Sequence, residues 1–98
     1  MTVKLNLVVN DSPINTDYFV SGFMDHVVSG IIEALEGTAE IRELVLSIDG
    51  DKVKINLNGK DISLNTFASR IVKSTIIGMI SILKGVNEIK QLKILLNK

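Results

Sequence analysis

Shifting this chain by 48 positions lays its second half on its first without a gap, and that self-similarity limits the possible folds more than any other feature. Residues 3–50 align with 51–98 at twelve identities. Lys4 meets Lys52, Asn10 meets Asn58, Ile14 meets Ile62, Phe19 meets Phe67 and Ser21 meets Ser69. Gly30, Ile32, Leu35 and Gly37 meet Gly78, Ile80, Leu83 and Gly85, and Glu40, Ile41 and Leu44 meet Glu88, Ile89 and Leu92. Ninety-eight residues make one domain, so the two repeats must share one core.

Within each repeat the hydrophobic period runs from 2 to about 3.6 and back to 2. Val3–Asn10 and Val53–Asn58 alternate as half-buried strands. Closing strands are predicted at about Ile41–Ile48 and Ile89–Leu96, with Leu44, Leu46, Ile48 and Leu92, Ile94, Leu96 on one face. Each helix between them starts at a capping residue, Asn15 or Asp17 in the first repeat and Ser63 or Asn65 in the second. The helices are predicted to end near Glu36 and Lys84, with Gly37 and Gly85 as left-handed terminators.

On a helical wheel Phe19, Val20, Phe23, Met24, Val27, Ile31, Ala34 and Leu35 fill the half-circle expected to lie on the sheet. Phe67, Ala68, Ile71, Val72, Thr75, Met79, Ile82 and Leu83 do the same in the second repeat. Val28, Ile32, Ile76 and Ile80 widen the arc and are expected to pack helix on helix, while Ile77 falls on the polar side. Gly30 and Gly78 sit mid-helix, where glycine costs about 1 kcal/mol relative to alanine. Their presence predicts a close approach by the sheet or by the other helix.

Asp49-Gly50 between two alternating runs is a hairpin signal. The order is then β-α-β, hairpin, β-α-β, and right-handed crossovers leave few topologies. The pattern resembles the split β-α-β, ferredoxin-like sandwich. That resemblance implies an α+β domain with an antiparallel sheet of order 4-1-3-2, both helices on one face, and repeats exchanged by a twofold between the first and third strands. The repeat unit, a K-x-[LI]-x-[LV] strand, I-x-x-x-x-F-x-S, a mid-helix glycine, L-x-G and E-I-x-x-L, also resembles small uncharacterised archaeal proteins built from one such unit. This implies a fold and a dimeric ancestry, and nothing catalytic.

Charge and composition narrow the function. Net charge is zero, yet residues 1–50 carry two cationic side chains against eight carboxylates and residues 51–98 carry nine against three, −6 and +6. Asp25 is equivalent to Lys73 and Glu36 to Lys84. With no cysteine there is no thiol or disulfide chemistry. The N-terminus lacks a signal-peptide layout, and the apolar run Ile76–Leu83 is far short of the ~20 residues that span a bilayer. A soluble cytoplasmic protein with no membrane contact is expected.

Single-strand RNA binders of this topology stack bases on sheet aromatics. The aromatics here, Tyr18, Phe19, Phe23 and Phe67, all fall in helical segments, which disfavours nucleic acid. Asp11, Asp49 and Asp51 are expected at one end of the sheet, the only candidate set for a hard cation, with turn formation as the plainer reading. His26 has no nucleophile at a recognisable spacing, and no nucleotide fingerprint is present. No cofactor is expected and no enzyme. The leading expectation is a non-enzymatic protein-interaction module that self-associates, with Val8, Val45, Ile77 and Leu95 as the apolar residues left for that surface. The alternative is a regulatory domain sensing a small ligand or divalent cation at the acidic loops.

Overall fold

The computed structural model describes residues 4–37, 40–83 and 85–98. Val3 at the start of the first expected strand, and Lys84 with its charge exchange against Glu36, lie outside the described residues. The chain runs β1 (Lys4–Val9), β2 (Ser12–Ile14), α1 (Tyr18–Glu36), β3 (Glu43–Asp49), β4 (Lys52–Leu57), β5 (Lys60–Ile62), α2 (Thr66–Ile80) and β6 (Gln91–Asn97). The six strands form one antiparallel sheet in the order β2-β1-β6-β3-β4-β5.

This corrects the ferredoxin-like order 4-1-3-2. The expected first strands, β1 and β4, are not the central pair. The centre is held by the closing strands β3 and β6, with Val45 opposite Leu95 and Leu46 opposite Ile94. The physical reason is that a strand has two edges. Asn10-Asp11 and Asn58-Gly59 are two-residue turns with positive φ at both positions, 50° and 65° and then 52° and 86°. Each folds the chain straight back into β2 or β5. The hairpin partner takes one edge of β1 and of β4, so neither can be flanked on both sides by strands of the other repeat. Each half is therefore ββαβ, and exchanging the halves reverses the strand order onto itself.

Asn10 and Asn58 do more than turn the chain. The Asn58 Oδ1 accepts from the backbone N–H of Arg42 and Glu43 at 2.8 and 2.9 Å, and its Nδ2 donates to the Glu40 carbonyl at 3.1 Å. Asn10 makes the same set with Lys90 and Gln91 at 2.8 and 3.1 Å and with the Glu88 carbonyl. Each asparagine of one half clamps the chain entering the central strand of the other half.

Asp17 and Asn65 are the helix caps, accepting from Val20 N–H and Ala68 N–H at 2.7 Å each. Helix α1 ends as expected at Gly37, φ 75°. Helix α2 stops earlier than its predicted end near Lys84, with Ser81 as the cap residue, its hydroxyl donating back to the Gly78 carbonyl at 3.2 Å.

The core lies between the helices and one sheet face. Leu44, Leu46, Ile48, Leu92, Ile94 and Leu96 from the central strands meet Met24, Val28 and Ile32 of α1 and Val72, Ile76 and Ile80 of α2. The result is a slab, 35 × 34 × 18 Å over the Cα atoms. Among the described residues, no helix is long and apolar enough to cross a membrane.

Candidate interaction surface

The helices are rolled about their axes relative to the expected arc. Val28, Ile32, Ile76 and Ile80, expected to pack helix on helix, are fully buried on the sheet. Phe19, Phe23, Phe67, Ile71 and Ile82, expected to lie on the sheet, are 72, 51, 73, 52 and 83% exposed. Six strands about 4.8 Å apart make a sheet ~24 Å wide between its edge strands, and two helices ~10 Å across do not fill it. Each helix sits over its own half, and a groove of about 510 Å³ opens between them.

The groove is almost wholly apolar. Phe19, Val20, Phe23, Met24 and Val27 of α1 form one wall, and Thr75, Met79, Ile82 and Leu83 from α2 and the turn beyond it form the other. The Phe19 and Phe23 rings are neighbours, centroids 6.0 Å apart and tilted by 38°. The polar groups close by are turned back on their own helices. Thr75 Oγ1 donates to the Ile71 carbonyl at 2.8 Å, and the His26 Nδ1 bonds the Gly22 carbonyl at 2.8 Å. His26 therefore caps a helical carbonyl on the exposed side of α1.

Gly30 and Gly78 are exposed, and a Cβ built on either meets nothing within 4 Å. The close approach predicted for them is not made within this chain. By wheel angle Gly30 falls between Phe19 and Phe23, and Gly78 between Phe67 and Ile71, so both lie on the exposed apolar stripes.

Charge on the two helices is opposite in sign. Helix α1 carries Asp25, Glu33 and Glu36 and no lysine or arginine, and α2 carries Arg70 and Lys73 and no carboxylate. Asp25 bridges Lys98 at 3.0 Å and accepts from Ser29 at 3.1 Å. Lys73 bridges Asp51 at 2.7 Å and holds its carboxyl below the ordinary carboxylate value, chiefly through that hydrogen bond. These are equivalent places with reversed polarity, the end of β6 against α1 and the β3–β4 turn against α2.

The four residues first considered for the surface do not form one patch. Val8, Val45 and Leu95 are half-buried on the open sheet face, with Val45 directly across from Leu95. Ile77 lies on the helical side, half-buried and packed against the core. The three aspartates also separate. Asp11 and Asp49 line a shallow concavity of about 590 Å³ on the open face, together with Lys52, Lys54 and Lys93. Asp51 is engaged by Lys73, and Asp11 accepts from Gln91 Nε2 at 3.0 Å. Among the described residues, no three His, Cys, Asp or Glu side chains converge on a point where a metal ion would sit.

No protein-family model, no curated protein and no solved structure matches the chain. Its function must be read from the surface. The sequence held one signal for the groove. Apolar residues occupy more of each helical wheel than a helix lying on one sheet can bury, so part of the arc had to remain outside.

Proposed function

We propose that this protein is a non-enzymatic, cytoplasmic, internally repeated interaction module that self-associates through the face carrying α1 and α2. The observation that carries this reading is the exposure of Phe19, Phe23 and Ile82 along an apolar groove, with Phe67 and Ile71 also exposed on α2. Surface area supports it. The accessible surface is 6435 Å², whereas a folded monomer of this mass (10.7 kDa) has ~5,500 Å². The excess of ~900 Å² is close to the ~800 Å² that one partner buries in a standard interface.

The test is sedimentation equilibrium of the intact chain and of Phe23→Ser across a wide concentration range. Reversible dimerisation is expected for the intact chain, with loss of at least tenfold in affinity for the variant, since burying a phenylalanine contributes about 1.5–3 kcal/mol. A strict monomer at every concentration overturns the reading.

A further inference from the structure

The charge division between the helices selects one of two ways in which the helical faces can meet, and this inference rests on the self-association proposed above. Because exchanging the halves reverses the strand order onto itself, α1 and α2 lie antiparallel on one face. A second copy brought face to face by a twofold has two arrangements with closely similar apolar contacts. With the axis across the helices, α1 lies on α1 and α2 on α2. With the axis along them, α1 lies on α2 of the second copy. The apolar stripes barely distinguish these, since equivalent positions in the two helices hold residues of the same kind.

Electrostatics does distinguish them. In the like-on-like arrangement Glu33, the exposed carboxylate nearest the outer face of α1, meets a helix with no lysine or arginine, and Arg70 meets one with no carboxylate. In the unlike arrangement each acidic helix meets a basic one. The register agrees. Val27 and Thr75 are equivalent and both line the same end of the groove on antiparallel helices, so they lie at the same height, where the exchange of the halves places the midpoint of the helical face. Glu33 is six residues beyond Val27 and Arg70 five before Thr75, which brings them to the same height within one residue of rise, ~1.5 Å. Both are exposed. We infer that the partner seated on the groove is a second copy of this chain with α1 on its α2, Glu33 facing Arg70 of that copy, and Gly30 and Gly78 letting the helix backbones approach closely. The alternative dimer leaves Glu33 and Arg70 without that partner, and this favours the unlike arrangement.

The absence of native cysteine makes the test clean. His26 and Ser74, both exposed, stand one residue before Val27 and Thr75, equally near the middle. His26→Cys and Ser74→Cys are prepared separately and oxidised alone and mixed. A disulfide dimer that forms only on mixing supports the unlike arrangement. A dimer from His26→Cys alone overturns it and leaves self-association standing. No disulfide in any tube removes the helical face as the interface, and with it the proposed function when the intact chain also sediments as a monomer. Charge reversal is the second measurement. Glu33→Arg and Arg70→Glu should each weaken dimerisation roughly fivefold and the double variant should recover it. A double variant weaker than either single one rules the pairing out.

Discussion

Asn58 shows how much one side chain carries in this fold. Its backbone takes φ 52° and its amide makes three hydrogen bonds to the chain entering β3. Alanine tolerates neither the left-handed turn nor the lost bonds, so Asn58→Ala should destabilise by about 2–4 kcal/mol in chemical denaturation. Asn58→Gly, which keeps the turn and loses only the bonds, should cost less. Lys73 offers a titration test. It lowers the Asp51 carboxyl, so the pair's contribution is present above the ordinary carboxylate value near pH 4 and is lost as pH falls through the depressed value. In Lys73→Gln the Asp51 carboxyl carbon should titrate at higher pH by NMR. Because Asp51 is fully exposed, little change in global stability should accompany it. The identity of Asn10 with Asn58 was legible in the sequence. What the pair holds was not, since each reaches partners distant in sequence only through the tertiary fold: Asn58 bonds the chain 15 to 18 residues before it, and Asn10 bonds Lys90 and Gln91, 80 and 81 residues on.

Strand periods, the Asp49-Gly50 hairpin and the Gly37 terminator were all readable, because each depends on residues within one turn or one ladder. The short strands β2 and β5, three residues each, are absent from the sequence reading. Asn58-Gly59 was the available hairpin signal, but Lys60–Ile62 is too short to show an alternation of its own. The helices were located correctly and their roll was not. An arc wide enough to serve two surfaces does not say which half faces the sheet. The glycines test the element directly. With open space above both positions, Gly30→Ala and Gly78→Ala should each raise the stability of the monomer by up to about 1 kcal/mol through helix propensity. The same changes should weaken self-association, measured by sedimentation of the same samples. Stabilisation without any loss of association would detach the glycines from the interface.

At the level of the whole molecule, a slab 18 Å thick buries one face of each layer and leaves the outer faces to solvent or to a partner. If the helical faces close on each other, folding and association are linked, and the melting temperature should rise with protein concentration in the intact chain but not in Phe23→Ser. Differential scanning calorimetry at several concentrations checks this. By itself the sequence determined an α+β domain, two helices, a hairpin between the halves, which residues repeat and how charge divides between them. Those properties rest on local periodicity, local turn chemistry and composition. The tertiary structure decided the strand order, the clamps made by Asn10 and Asn58, the separation of Asp51 from Asp11 and Asp49, and the exposed phenylalanines. Each of these depends on which strand edge is already occupied and on how wide a sheet two helices must cover, and neither is a property of any single segment.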